Sequence, residues 1–135
     1  MDGDRRRSIY VEVRRNAPSH FLAAFDKPTP FTTVGHRYES NSAAQPLILL
    51  NDALVHQQAG QWASHLVEQF ATDDDAIEDA YQQAFSRPPT LREQERIREH
   101  LAVASAEPGD RDQRIQAWTE ICLTLYNVKE FIFLL

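Results

Sequence analysis

The 135 residues include one cysteine, one methionine and four glycines, and no apolar run approaches the length of a membrane span. Each shortage excludes something. A lone Cys122 rules out a disulfide within the chain and any Cys-rich zinc site. A span needs about 20 predominantly apolar residues, so no transmembrane helix is expected. The start, Met1-Asp2-Gly3-Asp4-Arg5, lacks the layout of a signal peptide, so a targeting signal is expected outside these residues if the parent protein is exported. With so few glycines there is no Gly-rich phosphate loop, and no GxSxG nucleophile turn occurs.

Positive charge is also scarce over most of the chain. Residues 1–40 carry seven Lys/Arg against five Asp/Glu, whereas residues 41–135 carry seven against fifteen, which gives the net charge of -6. Phosphate backbones are held by Lys/Arg, so an acidic body disfavours nucleic-acid binding. The basic cluster Arg5–Arg7 with Arg14 and Arg15 is read as the solvated flank of a strand. The 42% hydrophobic and 25% charged fractions are ordinary for a globular protein. The length suits a single domain, 1–135, divided into a strand with a long loop (1–44) and a helical bundle (45–135).

The fold class expected is mainly α: a bundle of about four to five helices with a short N-terminal β-strand and a long polar loop. Arg7–Arg15 alternates, with Ile9, Val11 and Val13 on one face and Tyr10, Glu12 and Arg14 on the other, which predicts a half-buried strand. Its one candidate partner in the chain, Phe31–Val34, is weak, so the partner is expected in another part of the parent protein or in another molecule. Ser19 caps a short helix to Phe25, which ends before Pro28. Asp26–Ala44 reads as a loop of nearly twenty residues, a length that is uncommon unless functional or disordered.

From Gln45 the period becomes helical, with Pro46 in a first turn, an interruption at Asn51-Asp52, and Leu47, Leu50, Leu54, Trp62, Leu66 and Phe70 as the apolar stripe. Asp73–Asp75 open the next helix, whose stripe is Ile77, Ala80, Tyr81, Ala84 and Phe85, and Arg87-Pro88-Pro89 ends it. Thr90 and Glu93 form a capping box for a helix running to about Ala106. A last helix from about Asp110 carries Ile115, Trp118, Ile121, Cys122 and Leu125. The tail Phe131–Leu135 is expected to pack on the body.

No catalytic residue is identified, and no metal site. His56 and His65 lie nine residues apart on one helix and so on opposite faces, while His20, His36 and His100 are isolated. Asp73–Asp75 with Glu78 and Asp79 lack the glycine-bearing alternation of a calcium loop. Cys122 on an apolar stripe is a core thiol. The remaining polar cluster is on the loop: Asp26, His36, Arg37, Glu39 and Asn41 fit either a polar site or side-chain anchors for an irregular segment, and the anchoring reading is favoured.

The order of motifs carries a resemblance. R-R-S-I-Y-V-E-V-R-R is followed by F-D-K-P, by H-R-Y-E-S-N, by Q-P-L-I-L-L-N-D and Q-A-G-Q-W-A, by A-Y-Q-Q-A-F-S-R-P-P-T and by W-T-E-I-C-L-T-L-Y-N-V-K-E-F. Together these resemble the C-terminal part of a planctomycete-type domain of unknown function, which closes large multi-domain proteins that often carry a cytochrome c-like module. The resemblance implies that the chain is a piece of a larger exported, periplasmic protein. Haem would then belong to upstream domains, with no cofactor in this piece. It also implies that Arg14, Arg15, Asp26, Arg37, Asn41, Gln45 and Asn51 are the recurrent polar positions. His36-Arg37 stands where two adjacent arginines are common, which weakens any need for an arginine pair.

Two functions follow as expectations. The first is a non-catalytic structural or interaction module whose partners are upstream domains, another protein, or a second copy pairing through the N-terminal strand. The second is a polar loop that completes a carbohydrate-binding, hydrolytic or redox site formed with upstream domains; there Asp26 with Glu39 would act as an acid–base pair.

Overall fold

Helices begin where the sequence supplies a capping side chain, and this accounts for most of the architecture. The computed structural model describes residues 8–10, 12, 13, 16, 18–28, 33, 35, 36, 44–104 and 110–132. Among them are seven α-helices: α1 (His20–Ala24), α2 (Ala44–Asn51), α3 (Ala53–Gln69), α4 (Asp73–Phe85), α5 (Leu91–Ala104), α6 (Arg111–Asn127) and α7 (Lys129–Ile132). The number exceeds the expected four to five because α2 and α3 part at Asp52 and the tail adds α7. Ser19 Oγ accepts the Leu22 N–H at 3.2 Å and starts α1. Thr72 Oγ1 accepts the Asp75 N–H at 3.2 Å and starts α4. Asp110 Oδ1 accepts the N–H groups of Asp112 and Gln113 and starts α6. Each cap satisfies amides that the first turn leaves without an intrahelical acceptor.

The interruption expected at Asn51-Asp52 is real and has a visible cause. Asp52 N–H still donates to the Ile48 carbonyl at 2.8 Å, but its carboxylate turns to accept the Leu54 N–H at 2.8 Å. Asp52 thus ends α2 and caps α3. Of the stripe read from Leu47 to Phe70, Leu66 is buried and Trp62 and Phe70 pack partly buried against the core, so the reading holds beyond the break and fails before it. Leu47 and Leu50 are exposed, and the buried positions are Leu49, Val55, Ala59, Ala63 and Leu66.

The chain divides into two compact units, Met1–Leu54 and Val55–Leu135. In the first, α1 packs on α2. The mainly α expectation holds, whereas the strand expected over Arg7–Arg15 is not seen among the described residues. Ser8–Tyr10 instead form a 3-10 turn, and Ile9 and Tyr10 are 83% and 71% exposed. An isolated strand cannot satisfy its own backbone groups, and no described segment offers it a partner. Arg7, Val11, Arg14 and Arg15 lie outside the described residues, as do Phe31 and Val34 of the candidate partner segment.

The second unit holds the hydrophobic core. Trp118, Leu66, Ile77 and Cys122 are its largest fully buried side chains, ringed by Ile97, Leu101, Ile121 and Leu125. Alanines 59, 63, 76, 80 and 117 complete it. Helices α4, α5 and α6 pack on one another, α7 folds back on α4 and α6, and the Trp62 ring of α3 lies 5.5 Å from the Tyr126 ring of α6. Phe131, in the tail expected to pack on the body, does so through Tyr126 at 5.1 Å while staying 41% exposed.

Candidate functional site

The polar positions singled out in the sequence are only partly visible. Arg14, Arg15, Arg37, Glu39 and Asn41 lie outside the described residues. His36 is described and exposed. Asp26, half-buried, takes the left-handed conformation with φ 56° and closes α1. Its N–H donates to the Ala23 carbonyl at 3.2 Å, and the Lys27 N–H donates to the Leu22 carbonyl at 3.0 Å. This pair of bonds is the Schellman ending, in which one residue must adopt positive φ; Asp tolerates it better than most residues. Pro28, just beyond, cannot continue the helix. The F-D-K-P motif therefore has a local structural purpose in Asp26.

Gln45 and Asn51 likewise serve backbone carbonyls. Gln45 is 5% exposed, and its Nε2 donates to the Ala24 carbonyl at 3.1 Å, tying α2 to the end of α1. Asn51 is exposed, and its Nδ2 donates to the Leu47 carbonyl at 2.7 Å inside its own helix. Gln45 and the end of α1 are thus brought together, while Asn51 serves the far end of α2.

The densest charged site in the described residues lies elsewhere, at Arg87. Ser86, with φ 56°, closes α4 through its N–H on the Gln82 carbonyl at 3.0 Å and turns the chain so that Arg87 points back over the bundle. All five guanidinium N–H groups are used. Nε and Nη2 donate to the two oxygens of Glu130 at 2.8 and 2.9 Å. Nη1 and Nη2 donate to the two oxygens of Glu93 at 3.1 and 2.9 Å. The last Nη1 hydrogen goes to the Pro88 carbonyl at 3.1 Å. The guanidinium also sits 5.5 Å from each of the Tyr81 and Phe85 ring centroids, a cation–π arrangement.

The capping box expected at Thr90 and Glu93 is built into this site. Glu93 Oε2 accepts from the Thr90 N–H and hydroxyl, both at 2.7 Å, and the Glu93 N–H donates to Thr90 Oγ1 at 3.4 Å. Hydrogen bonds from Arg87, then from Thr90, hold the Glu93 carboxyl down to about 2. The same guanidinium lowers the Glu130 carboxyl, and the two carboxylates raise the arginine in turn. Burial pushes the Tyr81 phenol up, with Glu93 adding to it. In the sequence Arg87 reads as a helix stop. The signal that could have found it is the spacing R-P-P-T-x-x-E, which puts an arginine beside the carboxylate of a capping box.

Two shallow grooves cross the second unit. One, of about 530 Å³, has Asp73, Arg98 and Arg114 as its charged walls. Arg114 is paired with Asp73 at 2.7 Å and Arg98 with Asp74 at 2.6 Å. The other, of about 510 Å³, runs along α6 past Asp112, Ile115, Thr119, Glu120 and Leu123 to His56. Glu120 pairs with His100 at 3.1 Å. Arg111 pairs with Glu68. No group of three or more His, Cys, Asp or Glu is placed to hold a metal ion among the described residues. Cys122 is buried and its thiol is pushed up to about 12 by that burial, so it is no nucleophile at neutral pH. No described helix is long and apolar enough to cross a membrane.

Among curated proteins and among solved structures, none matches the chain. A family model described as PSD1: Protein of unknown function (DUF1553) matches residues 1–101, in agreement with the resemblance carried by the motifs. That match takes in the Schellman ending at Asp26, the Asp52 break and the Arg87–Glu93 pair, so the chain belongs to the PSD1 family of proteins of unknown function.

Proposed function

We propose that this chain is a non-catalytic structural and interaction module of a larger protein. The observation that carries the reading is the exposure of large apolar side chains in the first unit: Ile9, Tyr10, Val13 and Leu47 are all exposed, Leu47 by 57%. Ile9, Tyr10 and Val13 lie within five residues of one another in the chain, and apolar side chains left exposed so close together suit contact with another protein part. The charges of the second unit support the same reading, since its arginines at 87, 98, 111 and 114 are each paired with carboxylates. Asp26, Gln45 and Asn51 support it too, since each makes hydrogen bonds that anchor the backbone of α1 or α2.

In this reading Arg7–Arg15 becomes a strand on pairing with the edge of a sheet in upstream domains, or with a second copy, by β-augmentation. The parent's export and its association with cytochrome c-like modules rest on the family resemblance and belong to the same proposal. Hydrogen exchange tests it. Amides of residues 7–15 should exchange freely in the isolated chain and slow at least a hundredfold in the longer protein that carries it. Equal exchange in both would overturn the reading. An Arg37→Ala change that abolished an activity of the longer protein without altering its melting would favour the polar-loop function instead.

A further inference from the structure

Helix α7 is attached to the body in an unusual way. None of its four residues is buried, and it follows a break at Val128, whose extended backbone ends α6. Two ties hold it: the fork from Arg87 to Glu130 and the Phe131 ring against Tyr126. A four-residue helix has no stability of its own, so α7 exists only because that site receives it. The receiving site is, by contrast, rigidly built. If α7 were lifted away, Arg87 would keep its two bonds to Glu93 and its bond to Pro88, and it would remain over the Tyr81 and Phe85 rings. Its Nε–H and one Nη2–H would then point outward side by side, the geometry that accepts both oxygens of one carboxylate.

We propose that Arg87 and Tyr126 form a recognition site for a short peptide in which a glutamate precedes an aromatic residue, and that α7 fills this site in cis as an autoinhibitory strap. The chemistry of the partner is read from the segment that occupies the site, Lys129-Glu130-Phe131-Ile132. The carboxylate takes the free side of the guanidinium, and the aromatic ring takes the place of Phe131 on Tyr126. Preorganisation by Glu93 and Pro88 means that little ordering is needed in the receiving site when the partner arrives. An external segment must displace α7, so a wild-type chain binds it weakly and a chain with its strap released binds it well.

Binding of a fluorescein-labelled peptide carrying Lys-Glu-Phe-Ile between neutral flanks, read by anisotropy, tests this on the full chain. Glu130→Arg with Phe131→Ala releases the strap and should tighten binding at least tenfold over wild type. The same peptide with Gln for Glu should lose most of that gain. If the double variant does not melt cooperatively, Glu130→Gln alone supports the same comparison. No binding to a folded, strap-released chain overturns the site. Equal binding of the Gln peptide overturns the role of Arg87, and equal binding to wild type overturns the occupancy by α7.

Discussion

Replacing Arg87 by lysine keeps the charge and removes the fork, which makes it the sharpest test of the node that joins α4, α5 and α7. Lysine has three N–H donors on a single ammonium where arginine has five in a plane, so it can serve one of Glu93 and Glu130 but not both pairwise. Arg87 and Glu93 are about one-third exposed, so their bidentate pair contributes roughly 0.5–1 kcal/mol, well below a buried ion pair. Loss of the planar contact with the Tyr81 and Phe85 rings adds roughly another 0.5 kcal/mol. Arg87→Lys should therefore cost about 1 kcal/mol, and Arg87→Ala about 2 kcal/mol, because alanine leaves two carboxylates facing each other. For a cooperative unit of 60–100 residues each kcal/mol lowers Tm by about 4–8 °C. Urea titration at pH 7 and thermal melts of the three proteins give both numbers. A lysine variant within about 0.3 kcal/mol of wild type, less than the spread of ordinary surface changes, would refute the importance of the fork.

Acid should act through the same node. Glu93, held down to about 2 from its ordinary 4.5, stabilises the fold fully above pH 4.5, and that contribution is lost as pH falls towards 2. Allowing for its partial exposure, the loss is about 1–2 kcal/mol, and Glu93→Gln should flatten the urea midpoint over that range. Cys122 should resist a thiol reagent at pH 8 in the folded chain and react fully in concentrated guanidinium; rapid native labelling would contradict its burial. Gly60 lies inside α3, and an added Cβ would meet only Thr119 Oγ1 at 4.0 Å. Gly60→Ala should thus stabilise by about 0.5–1 kcal/mol, and a lower Tm would show that the space is not there.

Helix ends are the most legible feature of the sequence, because capping depends on residues close in the chain. Ser19, Thr72, Thr90 and Asp110 all sit where a side-chain oxygen reaches amides two or three residues on. The break at Asp52 is legible for the same reason. Which face of a helix is buried reads less clearly. Leu47 and Leu50 are large but exposed, while Ala59 and Ala63 are small and fully buried, so the size of an apolar side chain does not tell which face is covered. The role of Arg87 is legible only in part: the R-P-P-T-x-x-E spacing points to Glu93, six residues on, but Glu130 lies 43 residues away. A strand is harder still to read, since its alternation states a preference that only a partner's edge can fulfil.

The alanines at 59, 63, 76, 80 and 117 limit how this unit can change over time. Where leucine lines a core, drift can shrink a side chain and later refill the gap from a neighbour. Where a fully packed alanine lines it, any larger residue must displace its neighbours, at about 1–3 kcal/mol. Glycine and serine are then the smaller disturbances, and the packing around these positions is inherited nearly unchanged. Diverging copies of this bundle would keep their backbone arrangement long after their surfaces had ceased to resemble one another.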